Sequence, residues 1–345
     1  MKLGRVLITI IFVLMVVGLA FWRNHRSRPP VGHQDLRVEV ADSFRAFADD
    51  FNGLFAQYWV YKSKSTVGIS TTSTTIARST ATTQPSQTLH PDVRLAESSW
   101  ELDRAAAEQN LLPAAWQSRL PKRSCPFFST VVWVVKSPGA KNLKSWSDLL
   151  RADVVIVTVD PAQSATGQWV YSAMLGGLRR EENHSGELVD GQLRDVFGRA
   201  KLYATTNAAT KAFADGTGDV LLAWESDAMT LAAGREGLTL VTPPTSIRVE
   251  PPVSMLDLHA DAHNVREVAE AYVEFMYTER AQRLAVKHHL RPTIGTLDAE
   301  SNDRFPTVEL FTIDELGGWA TLAERYFRGP TSAPVNQREG QTSLP

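Results

Sequence analysis

A single cysteine, Cys125, stands among the 345 residues. That excludes an intrachain disulfide and a cysteine-based metal site built by this chain alone. An excess of charge is also lacking: 36 basic against 38 acidic residues leave a net charge of -2. With a sequence pI ≈ 6.5, the chain has no basic balance to favour nucleic acid as a partner. It has no G-x-S-x-G, no P-loop, no H-E-x-x-H and no Rossmann glycine fingerprint, so no catalytic signature is present and the chain does not read as an enzyme. His184, the histidine nearest Ser164, lies in a charged segment. His288 and His289 are adjacent and diverge on a helix, with no partner at ligand spacing; neither a metal nor a cofactor is expected. What remains is ordinary globular composition, 43% hydrophobic and 21% charged, in a chain large enough for two lobes.

One apolar run opens the chain. Lys2 and Arg5 precede it, residues 6–22 form it, and Arg23, Arg26 and Arg28 follow. This is the pattern of a secretory signal or a short membrane anchor. Gly18 and Ala20 suit a signal peptidase cutting after Ala20, whereas the arginines directly behind the run suit attachment to the inner membrane through residues 6–22. No cysteine lies near the end of the run, so a lipoprotein anchor is excluded. Either way the remainder is read as exported, and residues 1–35 as signal or anchor plus spacer.

Beyond the spacer, strand and helix patterns alternate. Residues 36–41 alternate like a strand. Asp42-Ser43-Phe44-Arg45 reads as a strand-to-helix turn, with Asp42 or Ser43 capping a helix that carries Phe47, Phe51, Phe55 and Trp59. Residues 71–83 are hydroxyl-rich and of low complexity, and read as a flexible linker. Residues 93–96 form a short strand, then Trp100-Glu101-Leu102-Asp103 leads into a helix over 104–110. Residues 126–136 are one long β-rich run, and residues 143–149 a short amphipathic helix.

Residues 153–159 are a buried strand that runs into Asp160-Pro161-Ala162-Gln163-Ser164-Ala165-Thr166-Gly167-Gln168-Trp169 and a helix. A strand, a small-residue loop and a helix point free N–H groups and a positive dipole end at an anion. Ser164 or Thr166 would equally serve as a plain N-cap, and so would Thr205 before the helix over 208–214. Asp219-Val220-Leu221-Leu222-Ala223-Trp224-Glu225 is a buried strand that ends on an indole, at the carboxyl end where ligands sit in open α/β sheets. The Trp224 Nε1–H donates and never accepts; the same residue also reads as a core aromatic.

Several of these stretches carry a resemblance. Gly216-Thr217-Gly218-Asp219-Val220-Leu221-Leu222-Ala223-Trp224-Glu225 is similar to the G-x-G-D-V-L-x-A-W-E segment of the periplasmic sulfate/thiosulfate-binding proteins of ABC transporters. Asp42 and Arg45 match that family's D-P-T-R-E-L. Residues 126–136 resemble its P-Y-T-S-T-I-V-F-L-V-R strand. Pro161, Ser164, Trp169 and Tyr171 match N-P-x-S-S-G-G-x-R-W-x-Y, with Ala165 and Thr166 in place of the glycines. Leu290-Arg291-Pro292 and residues 310–319 match Y-R-P and F-T-I-D-E-V-F-G-G-W. The resemblance covers residues 36–329 and is thin over 62–92.

The resemblance implies an α/β, two-lobe periplasmic binding protein-like fold of type II, with a hinge and a ligand cleft between the lobes. Residues 36–122 would begin lobe 1, residues 123–246 form lobe 2, residues 247–329 return and complete the lobes, and residues 330–345 form a polar tail. It also implies ligand contacts from Ser164, Ala165, Thr166, Thr205 and Trp224, and from Thr75 as counterpart of a loop serine, with Asp42, Arg45 and Glu101 behind them. Sulfate is fully ionised at neutral pH, so its site should offer only N–H and O–H donors. Phosphate keeps a proton and calls for a carboxylate acceptor, which would repel sulfate; Glu101 or Asp42 would be that acceptor. The implied partners are sulfate or thiosulfate and an ABC permease. The alternatives are a phosphate or molybdate binder, and a membrane-anchored sensor or scaffold whose anion site is degraded.

Overall fold

The computed structural model describes residues 32–74, 90–137, 141–181, 186–297 and 304–327. The apolar run at 6–22, Thr75 and the polar tail at 330–345 lie outside the described residues.

Two β-sheets organise the chain. The first has the order β11-β3-β1-β2, with β1 Gln34–Ala41, β2 Val67–Thr74, β3 Val93–Leu95 and β11 Val253–Met255. β1 runs parallel to β2 and β3, and β11 lies antiparallel on β3. The second has the order β7-β6-β8-β5-β9, with β5 Val131–Lys136, β6 Ile156–Val159, β7 Lys201–Tyr203, β8 Val220–Trp224 and β9 Leu238–Val241. β6 is parallel to β7 and β8, and β5 is antiparallel to β8 and β9. The helices are α1 Arg45–Ser63, α2 Ser99–Gln109, α3 Ala165–Arg180, α4 Gly186–Arg199, α5 Thr206–Ala214, α6 Glu225–Ala233, α7 Asp257–Ala262, α8 Arg266–Phe275, α9 Glu279–Lys287 and α10 Gly318–Leu322.

Strands covered by helices on both faces lose the alternation of a half-buried strand. Every residue of β8 is therefore buried, and so is every residue of β6. In the first lobe, Phe47, Phe51, Phe55 and Trp59 recur every four residues on α1 and share one face. All four are buried. Phe51 meets Tyr272 of α8 edge-on, with ring centroids 4.9 Å apart, and the Tyr272 hydroxyl donates to Asn52 Oδ1 at 2.7 Å.

The chain passes between the lobes three times. The first passage holds a left-handed turn, Lys122, Arg123 and Ser124, with φ of 55°, 58° and 62°. The second runs from β10, Thr245–Ile247, to β11, and the third surrounds β12, Arg291–Pro292. β12 pairs with β4, Phe127–Phe128, and β10 pairs with β13, Glu309–Phe311. The passages are thereby stitched to one another as well as to the sheets.

Four local expectations change. The run 126–136 is two strands, because Ser129 turns aside to bridge Val249 and Thr130 Oγ1 donates to the Ile247 carbonyl. Thr71–Thr74 is not linker but the end of β2, where the β-branched Thr71 and Thr72 suit the pleat; the rest of that stretch, 75–83, lies outside the described residues. Neither Asp42 nor Ser43 caps α1: a 3-10 turn, Asp42–Phe44, intervenes, and Ser43 spends its hydroxyl on Glu97. Residues 143–149 give the 3-10 helix Trp146–Leu150, closed by a Ser145–Asp148 capping box.

Candidate functional site

The residues that follow β1, β3, β6 and β8 meet where the lobes face each other. The β6 contribution is prepared by Asp160, whose carboxylate accepts from the Ala162 N–H at 2.9 Å and from Gln163 Nε2 at 2.6 Å. This folds the loop back so that Ser164 becomes the N-cap position of α3. Gly167 lets the first turn of α3 lie against that loop: a Cβ there would stand 2.6 Å from the Asp160 carbonyl carbon. Ala165 and Thr166, where the related motif has glycines, have no positive φ. Their backbone is helical, so the exchange leaves the loop shape and its N–H donors intact.

A carboxylate already sits on those donors, and it comes from the other lobe. Glu97 lies two residues beyond β3. Its Oε2 accepts from the Thr166 N–H at 3.1 Å, and its Oε1 accepts from Thr166 Oγ1 at 3.0 Å and from Ser43 Oγ at 3.1 Å. The indole of Trp169 donates to the Glu97 carbonyl at 2.8 Å. All four donors are neutral. Burial raises the Glu97 pKa, the hydrogen bonds from Thr166 and Ser43 oppose that, and Asp42 adds to the rise.

Trp224 ends β8 and is fully buried, yet its Nε1 has no hydrogen-bond partner among the described residues. Its ring lies against Phe44 of the other lobe at 5.7 Å. The buried hydroxyls of Ser129 and Ser226 and the Oδ2 of Asp227 likewise have no partner. Such groups cost free energy when left unpaired in the interior, and three of these four lie close along the chain, at the end of β8 and the start of α6. Asp227 is pushed up to about 7 by burial and by Glu97. Directly after Trp224, Glu225 pairs with Arg291 through two bonds of 2.6 and 2.7 Å, both side chains being almost wholly enclosed. Burial raises Glu225, and Arg291 opposes that rise. The pair fixes the Trp224 end of β8 to the third passage between the lobes.

The remaining candidates divide. Ser164 caps nothing and lines a cavity of about 280 Å³ between α2 and the start of α3, together with Arg94, Ser98, Glu101, Arg104 and Gln168. Thr205 is the N-cap of α5, and its Oγ1 accepts from the Ala208 N–H at 3.2 Å. Arg45 faces β2, donating to the Thr71 carbonyl at 3.3 Å, and is not on Glu97. Glu101 closes a capping box at the start of α2, accepting from Ser98 N–H and Oγ at 3.2 Å. Burial, and then Glu97, push it up to about 8. Asp42 acts on Glu97 only through its charge, and Thr75 lies outside the described residues.

Glu97 is the residue that sequence reasoning missed, and it corrects the choice of Glu101 or Asp42 as the inward carboxylate. The signal was its place just past the carboxyl end of β3, where ligand-facing residues gather. His288 Nε2 donates to the Asp50 carboxylate at 2.9 Å, while His289 meets Arg304, so the two diverge as expected. Among the described residues no group of three metal-ligating side chains occurs.

Two α/β lobes joined by three passages, with polar donors converging between them, define a two-lobe solute-binding protein. The chain belongs to the family of bacterial extracellular solute-binding proteins, which it matches over residues 36–291. It is 30% identical over 328 residues to the sulfate-binding protein of Escherichia coli K12, covering 93% of this chain and 98% of that one. It is 31% identical over 324 residues to the thiosulfate-binding protein of Pseudomonas aeruginosa, covering 91% of this chain and 94% of that one. Among solved structures it resembles the sulfate-binding protein SubI of Mycobacterium tuberculosis H37Rv, with a TM-score of 0.70 at 24% identity, over 86% of this chain and all of that one. The resemblance read from the motifs thus extends over nearly the whole chain.

Proposed function

We propose that the protein captures sulfate, or a related tetrahedral oxyanion such as thiosulfate, in the cleft between its lobes and delivers it to an ABC permease. On this reading it works outside the inner membrane and catalyses nothing. The observation that carries the reading is the cradle at the start of α3, where one N–H and two hydroxyls hold an oxyanion, the Glu97 carboxylate, at 3.0–3.1 Å. At the end of β8, the Trp224 Nε1–H lacks a partner among the described residues. Donors of this kind suit an ion that accepts and never donates, and each hydrogen bond to a charged group contributes about 1.5–3 kcal/mol. The similarity to sulfate- and thiosulfate-binding proteins over most of the chain supports the same ligand class.

The test is a thermal-unfolding titration of the full-length chain in mild detergent with sulfate, thiosulfate, molybdate and phosphate. An anion at about 100-fold its dissociation constant stabilises by roughly 2.7 kcal/mol. No shift with any anion would refute the transport reading. It would favour a sensor or scaffold whose cradle stays filled by Glu97, the second reading that the internal carboxylate supports.

A further inference from the structure

We propose that Glu97 sets the specificity of the cleft by making binding of a fully ionised dianion conditional on one proton. The inference rests on the reading of the cleft as an oxyanion site. Glu97 already accepts from Thr166 N–H, Thr166 Oγ1 and Ser43 Oγ. Sulfate brought to the same donors faces a carboxylate that has nothing to donate and carries like charge. Among the described residues no cation hydrogen-bonds to Glu97 to offset that charge. Acidic groups act on it from three elements: Asp42 from the first lobe, Glu101 from α2 and Asp227 from α6; the nearby cation of β3, Arg94, acts on Glu101 and is paired with Glu39 at 2.6 Å.

Two routes remove the conflict. Either Glu97 takes a proton from solvent and its acid O–H donates to the anion, or the anion brings its own proton and donates to the Glu97 carboxylate. Sulfate has only the first route. A proton-bearing oxyanion, of which hydrogen phosphate is the simplest, has both. Asp227, with its enclosed and unpartnered Oδ2, offers a second acceptor for such a proton. The cleft therefore ranks oxyanions by whether they carry hydrogen, and it does so increasingly as the pH rises.

The experiment is calorimetric titration of the full-length chain in mild detergent with sodium sulfate and with inorganic phosphate. It is run at about pH 5.5 and about pH 8.5, in buffers of different ionisation enthalpy so that proton uptake is counted. Phosphate keeps at least one proton throughout this range. The expected result for the unaltered protein is sulfate binding that weakens more than about tenfold between the two pH values and takes up close to one proton. Phosphate binding changes less. Glu97→Gln binds sulfate more tightly than the unaltered protein at the higher pH, with no proton uptake, and its sulfate affinity changes with pH as little as its phosphate affinity. Glu97→Ala, which empties the cradle, follows the same direction, and Glu101→Gln retains the uptake. Sulfate binding that is flat with pH and free of proton uptake overturns the proposal, as does an equal loss of both anions in Glu97→Gln. Absence of binding by either anion to every protein overturns the anion-site reading itself, a result distinct from the previous two.

Discussion

Replacing Trp224 by phenylalanine separates what the indole does for the ligand from what it does for the fold. The indole Nε1 is enclosed and donates to no atom of the described residues, so Trp224→Phe breaks none of the hydrogen bonds seen in the unliganded protein. The buried ring keeps its place against Phe44, 5.7 Å away. Loss of the second ring leaves roughly 40 Å³, and at about 24 cal/mol per Å³ that costs on the order of 1 kcal/mol. Removing an N–H that was buried without a partner returns about 1–3 kcal/mol. The two effects oppose each other, and the unliganded stability is expected to stay within about 2 kcal/mol of the unaltered protein. Binding has no such compensation. A hydrogen bond to a charged ligand contributes about 1.5–3 kcal/mol, so the dissociation constant for sulfate should rise about 10- to 150-fold. Urea unfolding without anion and calorimetric titration with sulfate read the two quantities separately. A variant that binds sulfate within about twofold of the unaltered protein would refute the assignment of Nε1 as a donor. Large destabilisation together with lost binding would show the indole to be a core residue.

Three further outcomes follow from the same geometry. Arg291→Met leaves Glu225 buried without its partner, which should cost about 3–5 kcal/mol in urea unfolding; adding Glu225→Gln should recover a large part of it. Gly167→Ala drives a Cβ against the Asp160 backbone, so the loop must yield: about 1–3 kcal/mol is lost, and anion affinity falls with it. Stability should also fall as pH rises from 5 to 8 without ligand. Glu101, raised from 4.5 to about 8, and Asp227, raised from 3.8 to about 7, each keep their proton longer in the folded chain. Their contribution is complete below the unfolded values and is lost as pH climbs through the folded ones, about 1–3 kcal/mol for each. Glu101→Gln should flatten part of that slope, measured as unfolding free energy against pH.

Much of this was written locally in the sequence. The fourfold spacing of Phe47, Phe51, Phe55 and Trp59 determines a helix with one apolar face, since periodicity is a property of neighbouring residues. The run 220–224 between Gly218 and Glu225 determines a buried strand ending on Trp224, and the motifs around Ser164, Trp224 and Arg291 determine the family. What the sequence did not determine is which carboxylate enters the cradle. Glu101 and Glu97 are four residues apart. One closes a capping box on Ser98, and the other crosses to Thr166, 69 residues further along the chain. Similarly, Arg291 reads as one residue of a short motif until folding places it on Glu225, 66 residues away. Such pairings depend on how two lobes assembled from three passages of the chain face each other, and no local pattern encodes that. Only the tertiary structure decides that the donors at the start of α3 are held by an acid of the opposite lobe, and it is this contact that turns a family resemblance into a specific expectation about the ligand's proton.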